Sequence, residues 1–248
     1  MSRFKISNQI FSLGLDAQEI SIYTYLCSLP SLQDTLDGES TVHVKQATIA
    51  QNCGIKAAQT VSKVISRLTE KGLVEPLRRS VKANHHKGTY IYIVKKQPTI
   101  SSYFFVDRHI WGRLIPRQMM IYLFICKCFS PTLHDSWNSY NDIAHQTGMK
   151  REMVIQTINE LTKMRLIVRC KRKSRTNRKV YVDNHYQVVF FIRGRIRKKV
   201  RKKVRLYCEY NHTIRQPLNS YYVQYNNSTV LRKSQEIAQH FFQCRGSP

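Results

Sequence analysis

The stretch Ile49–Val74 reads IAQNCGIKAAQTVSKVISRLTEKGLV, and Ile143–Ile167 reads IAHQTGMKREMVIQTINELTKMRLI. Laid over one another, Ile49-Ala50 falls on Ile143-Ala144, Gly54 on Gly148 and Lys56 on Lys150. With one residue dropped after the turn, Val61 falls on Val154, Ile65 on Ile158, Leu68-Thr69 on Leu161-Thr162 and Leu73 on Leu166. Each copy predicts a short helix, a tight turn at glycine and a longer amphipathic helix. Each then runs into an apolar strand.

That order is the helix-turn-helix pattern, which lays its second helix in the major groove of DNA. In the first copy Val61, Val64, Ile65 and Leu68 form the inward stripe. The opposite face offers Lys56, Gln59, Thr60, Ser62, Lys63 and Arg67, with no acid before Glu70. These side chains have the donors and the reach for phosphates and base edges. In the second copy Val154, Ile158 and Leu161 turn inward, and Lys150, Arg151, Met153, Gln156 and Thr157 lie nearer the groove. Glu152 departs from the pattern, and its place near the helix start suits an acid that complements the helix dipole.

Two strands follow the first copy, Leu73–Leu77 and Tyr90–Val94, around the basic loop RRSVKANHHKG. A β-hairpin directly after a helix-turn-helix is a wing, and Arg78, Arg79, Lys82 and Lys87 are placed to hold the flanking DNA backbone. The second wing is more basic, with Arg169, Lys171, Arg172, Lys173, Arg175, Arg178 and Lys179 before the strand Val180–Val182.

The repeat reaches beyond these motifs. Asp16 and Glu19 have capping-box spacing, and Ile20, Tyr23, Leu26 and Cys27 follow at helical spacing, so a helix is expected from Asp16 to about Leu29. Pro30 to Ser40 reads as a loop, Thr41–Val44 as a short strand and Gln46–Cys53 as a helix. Beyond a linker at Lys95–Ser102, Ile6, Ile10 and Phe11 recur as Val106, Ile110 and Trp111. Leu15 recurs as Leu114, Ile22-Tyr23 as Ile121-Tyr122 and Leu26 as Ile125, with Pro116 in the first turn of the repeated helix. The expected fold is mainly α with small β wings (α+β). Residues 1–97 and 98–187 form two tandem winged helix-turn-helix domains, and 188–248 form a basic C-terminal extension.

That extension opens with RGRIRKKVRKKVR, Arg193 to Arg205. Its cations are Arg193, Arg195, Arg197, Lys198, Lys199, Arg201, Lys202, Lys203 and Arg205. Ile192, Ile196, Val200 and Val204 recur every four residues, so a helix here is amphipathic with one thin apolar stripe. It reads as a grip on the DNA backbone, as helix or arm. A membrane-surface helix is disfavoured because the stripe has no Trp, Phe or Leu to insert. Thr229 to Cys244 predicts a short helix, for a homodimer contact or for packing on the second domain.

Composition agrees. The 248 residues carry 41 Lys+Arg against 15 Asp+Glu, a formal net charge of +26, so the partner is a polyanion and nucleic acid comes first. The apolar share of 42% is enough for packed cores. No run approaches the roughly 20 apolar residues of a spanning helix. The opening MSRFKISNQIF lacks a secretory core, which points to the cytoplasm. The seven cysteines form no C-x-x-C pair and read as reduced packing thiols. No glycine-rich phosphate loop and no His-x-His pair occurs, and the acids are few and scattered. His212-Thr-Ile-Arg215 with Tyr221, Tyr222 and Tyr225 has the residue types of a tyrosine recombinase, but at shorter spacing, and reads as chance. The expectation is a binding protein rather than an enzyme. No cofactor, metal or small-molecule ligand is expected.

Thr48–Arg79, TIAQNCGIKAAQTVSKVISRLTEKGLVEPLRR, resembles the winged helix-turn-helix of MarR-like and GntR-like bacterial regulators. The resemblance covers about residues 40–95 and, more weakly, 136–183, where Arg165 replaces the glycine before the strand. The tandem arrangement is similar to replication initiators of plasmids and integrative elements, in which two winged helices read a repeated site. The resemblance implies sequence-specific binding of double-stranded DNA. The role implied is a transcription regulator, or a replication-initiation or accessory protein of a mobile element. An RNA-binding protein using the same basic surfaces, or a DNA recombinase, is the alternative.

Overall fold

Two helices that are apolar nearly all round occupy the centre. α1 (Ala17–Ser28) is buried at every position from Glu19 to Leu26, and α4 (Pro116–Cys128) at every position from Met119 to Cys126. Helices of that composition must be covered on all sides. Their starts are set locally. Asp16 Oδ1 accepts from the Gln18 and Glu19 N–H groups at 2.7 and 2.8 Å, and Glu19 Oε2 accepts from Asp16 N–H at 2.9 Å. At α4, Pro116 takes the first turn and Gln118 Oε1 accepts from Ile115 N–H at 3.2 Å. The structure is a computed structural model. It describes residues 3–31, 33–34, 39–77, 90–99, 102–130, 135–173, 181–189, 191–192 and 195–196, which lie in one compact unit.

The apolar lead-ins are strands. β1 (Arg3–Ser7) pairs antiparallel with β6 (Tyr103–Asp107), and both show the burial order exposed, buried, exposed, buried, buried. In every pair of the ladder the two residue numbers add to 110, whereas repeat counterparts differ by 100. Lys5 therefore faces its own counterpart, Phe105, and a local two-fold axis passes through that pair. Aromatic contacts obey the same axis. Phe4 stacks on Trp111 at 6.0 Å between centroids, and the image pair Phe11–Phe104 is at 6.4 Å. Tyr25 meets Trp111 edge-on at 5.1 Å, and the image pair Phe11–Phe124 is at 5.6 Å.

Each half then runs strand, helix, helix, strand, strand. In the first half these are β3 (Glu39–Val44), α2 (Gln46–Asn52), α3 (Ala58–Glu70), β4 (Val74–Leu77) and β5 (Tyr90–Lys95). A two-residue β2 (Gln33–Asp34) completes an antiparallel sheet of order β2-β3-β5-β4. In the second half they are β7 (Ser136–Trp137), α5 (Tyr140–Thr147), α6 (Arg151–Lys163), β8 (Ile167–Lys173) and β9 (Tyr181–Val188), with sheet order β7-β9-β8. The result is a mixed α+β fold with small antiparallel sheets, compatible with a winged helix in each half. α3 packs on α1 and α6 on α4. A single cluster of buried apolar residues runs from Phe4 to Val188, so the two halves share one core.

The ends of the two longer helices show how one geometry is reached by different residues. Gly72 closes α3 at φ +69°, and Arg165 closes α6 at φ +60°, the single non-glycine with positive φ among the described residues. The left-handed region costs a residue with a Cβ about 1–2 kcal/mol. The N–H of Leu73 donates to Leu68 O at 2.9 Å and that of Leu166 to Leu161 O at 3.1 Å, so both chains make the same turn.

Several expectations need correction. β9 continues to Val188, and Val189 N–H donates to Leu166 O at 2.9 Å, as Lys95 N–H does to Leu73 O at 3.0 Å. The apolar Tyr186–Val189 thus closes the second sheet; Tyr186, Val188 and Val189 are all buried. The expected amphipathic helix does not start at Ile192. β10 (Phe191–Ile192) pairs antiparallel with β11 (Arg195–Ile196). The β-branched Ile192 and Ile196 favour extended chain over helix there. The remainder of the extension, from residue 197 on, lies outside the described residues, as does the expected helix at Thr229–Cys244.

Cys27, Cys53, Cys126 and Cys128 are free thiols. Burial pushes Cys27, Cys53 and Cys126 up to about 12 and raises Cys128, so these four are packing groups. Cys208 and Cys244 lie outside the described residues. No described helix is long and apolar enough to cross a membrane.

Candidate nucleic-acid interface

α3 buries Val61, Val64, Ile65 and Leu68, none more than 4% exposed. Each contributes about 1.5–3 kcal/mol of apolar burial, which fixes the rotation of the helix about its own axis. That rotation turns Gln59, Ser62 and Lys63 to solvent, with Lys56 exposed just before the helix and Thr60 half-buried at its edge. Five of the six residues expected on this face are therefore exposed or half-buried on the outer side.

Arg67 is not. Its Nη2 lies 2.8 Å from Asp16 Oδ2 and its Nε 2.9 Å from Glu19 Oε1. Lys71 Nζ adds a contact at 2.7 Å to Glu19 Oε2 and one at 2.9 Å to Gly14 O. The Glu19 side chain is 3% exposed. Burial alone would raise its pKa, but the bonds from Lys71, Asp16 N–H and Arg67 more than offset that and hold it below the usual carboxylate value. Arg67 thus ties α3 to the start of α1 instead of reaching toward phosphate.

α6 repeats the arrangement with changes. Val154, Ile158 and Leu161 are fully buried, and Lys150, Arg151, Met153 and Gln156 are exposed. Thr157 corrects the expectation: it is 0% exposed and its Oγ1 donates to Met153 O at 2.8 Å, so it faces the core. It stands three residues after Val154 and next to Ile158, which places it on the inner stripe. Arg151 lies over the Tyr140 ring at 5.8 Å, and Arg169 Nη1 donates to Tyr140 OH at 2.8 Å.

Sequence reading missed the residues that hold α6. Glu160 occupies the position of Arg67 in the overlaid copies, with the charge inverted. Its Oε1 accepts from Arg117 Nη2 at 2.7 Å and from Gln156 Nε2 at 3.1 Å, and its Oε2 accepts from Gln118 Nε2 at 2.7 Å. The Gln118 hydrogen bond, followed by Arg117 and Gln156, keeps its carboxyl below the usual range despite partial burial. The signal was available: Gln118 falls on Glu19 when the repeats are laid together.

The two halves also touch through the first helix-turn-helix. Gly54, at φ +64°, lies so close to the second half that a Cβ there would stand 2.5 Å from Leu114 O and 2.9 Å from Ile115 Cα. Gly112 N–H donates to Asn52 O at 2.8 Å. The counterpart Gly148, at φ +66°, has nothing within 4 Å of the same position. A cavity of about 200 Å³ opens beside it, lined in part by Leu15, Met120 and Thr147.

The wings are described in part. Arg78, Arg79, Lys82 and Lys87 lie outside the described residues, between the ends of β4 and β5. Lys171, Arg172 and Lys173 form the last residues of β8, with a bulge between Arg172 and Lys173, and Arg175, Arg178 and Lys179 lie outside. In the extension Arg195 begins β11, whereas Arg193, Arg197, Lys198, Lys199, Arg201, Lys202, Lys203 and Arg205 lie outside the described residues. Among the described residues no three His, Cys, Asp or Glu gather to hold a metal.

No family model and no curated protein matches the chain. Several solved structures match it, and the likeness to the one described next is weak. A crystal structure of Pi initiator protein in complex with iteron DNA aligns at TM-score 0.46 and 11% identity, over 75% of this chain and 97% of that one. A likeness that slight carries neither fold nor function from one chain to the other.

Proposed function

We propose that this chain binds double-stranded DNA at a specific sequence through two tandem winged helix-turn-helix units. We place it as a transcription regulator or as a replication-initiation or accessory protein of a mobile element, acting by binding without catalysis. The observation that carries the reading is the pair of outer helix faces, Lys56, Gln59, Ser62 and Lys63 on one half and Lys150, Arg151, Met153 and Gln156 on the other. Both sit on one core whose central ladder obeys a local two-fold axis. A symmetric pair of reading helices fits successive major grooves about one helical turn apart, and the axis makes the two half-sites inverted. The helices differ in sequence, so the half-sites differ too. Carrying both helices in one chain makes the second docking intramolecular and raises apparent affinity. The net charge of +26 supplies the salt-dependent part of the affinity.

Selection of bound fragments from the host's own DNA, at physiological salt and with folded RNA as competitor, tests this. The expected result is enrichment of fragments carrying two unlike, inverted half-sites. Absence of enrichment, or displacement of duplex by folded RNA, overturns the reading.

A further inference from the structure

Gln156 is exposed on the outer face of α6, yet its amide is not free to turn. Its Nε2 donates to Glu160 Oε1 at 3.1 Å, one helical turn further on. A carboxylate only accepts hydrogen bonds, so the amide has one orientation here: nitrogen toward Glu160, oxygen away from it. Glu160 is itself fixed from the scaffold helix, by Arg117 Nη2 on the same oxygen and by Gln118 Nε2 on the other, both at 2.7 Å. Gln118 is anchored in turn, since its Oε1 accepts from the Ile115 N–H at 3.2 Å. The chain of bonds thus runs from the backbone at the start of α4 to the tip of a groove-facing side chain.

With one amide hydrogen held by Glu160, Gln156 keeps a second hydrogen and its carbonyl oxygen. An adenine edge in the major groove presents N7, which accepts, beside N6–H, which donates. That is the complement of a glutamine amide. We infer that Gln156 is the adenine-reading residue of the second half, and that Glu160, Arg117 and Gln118 are positioning residues which set its amide before DNA arrives. Pre-setting a rotamer-rich side chain lowers the ordering cost on binding. Arg117 also pairs with the Glu160 charge, so the acid meets the phosphates already neutralised. The first half has no counterpart: the position of Glu160 there is Arg67 and that of Gln156 is Lys63, so the device belongs to one half-site.

The inference rests on the duplex-binding reading above, and one experiment separates the two. Duplexes are selected from a random library with the full-length protein. Binding of the best duplex and of its single-base variants is then measured by anisotropy for the parent, Gln156→Ala, Glu160→Ala and the double variant. Gln156→Ala lowers the preference for adenine at one base pair about tenfold. Glu160→Ala lowers it at the same base pair by about fivefold or more and adds nothing further in the double variant. Should Glu160→Ala not fold, Gln118→Ala, which leaves the carboxylate in place, carries the test with a smaller loss at that base pair. Preference retained within twofold, or a loss spread evenly over all positions, overturns the positioning role. A library with no enriched duplex overturns the DNA-binding reading itself.

Discussion

Gly54→Ala and Gly148→Ala form a matched pair that isolates the contact between the two halves. Both glycines end the first helix of a helix-turn-helix, at φ +64° and +66°. The conformational cost of placing a Cβ in that region is the same for both, about 1–2 kcal/mol. The surroundings differ. At Gly148 the new methyl meets nothing within 4 Å, so the conformational term is the whole effect. At Gly54 it would stand 2.5 Å from Leu114 O, nearly an ångström short of the 3.4 Å where ordinary contact begins. The obstacle is backbone, and backbone cannot rotate away as a side-chain tip does. Relieving such an overlap costs about 1–3 kcal/mol beyond the conformational term. Urea denaturation should give about 1–2 kcal/mol of destabilisation for Gly148→Ala and about 2–5 kcal/mol for Gly54→Ala. Equal losses in the two variants would refute the close packing of the first turn on the second half.

The remaining predictions concern single positions. Arg165→Gly removes the one strained non-glycine described and should stabilise by about 0.5–1 kcal/mol net, because glycine also loosens the unfolded chain; at this chain length that is a rise of about 1–4 °C in Tm, and an unchanged or lower Tm would count against the strain. Glu19→Gln should cost about 2 kcal/mol near neutral pH by weakening the bonds to Arg67 and Lys71. Because the folded pKa of Glu19 is lowered, its contribution is full above the ordinary glutamate value and disappears as pH falls through the lower folded value, so the variant should lose less stability than the parent across that acid window; parallel curves would sink the assignment. Lys63→Ala should lessen discrimination between sites and reduce the salt slope by at most about one unit, which titrations at several salt concentrations measure.

The fold was legible where chemistry repeats. The apolar stripe Val61, Val64, Ile65, Leu68 and the turn glycines have a local cause, and so does the Asp16–Glu19 capping box. Each appears in the structure as the spacing required. Elements stabilised by distant partners were not legible. β1 and β6 read only as apolar lead-ins because each is half of a two-stranded ladder whose other half lies about a hundred residues away. β7 has two residues, Ser136 and Trp137, too few for any alternation to register. The site followed the same rule. Lys63 and Gln156 project from helices whose rotation the apolar stripe dictates. Arg67 and Thr157 were misplaced for two reasons: long side chains choose partners beyond their own helix, and a threonine next to the inner stripe can satisfy its hydroxyl on the backbone.

The two clamps between scaffold helix and outer helix have opposite polarity on one architecture. In the first half the scaffold supplies acids, Asp16 and Glu19, and the reading helix supplies Arg67. In the second the scaffold supplies Arg117 and Gln118, and the reading helix supplies Glu160. Either polarity holds the helix, so holding alone does not choose between them. On the proposed duplex binding, their effect on the groove differs. The first clamp draws a guanidinium away from the groove and leaves Lys63 without a neighbouring acceptor one turn on. The second sets a carboxylate beside the groove, neutralised by Arg117 and still able to orient Gln156. A cationic tip at the first position favours guanine or phosphate, and an oriented amide at the second favours adenine.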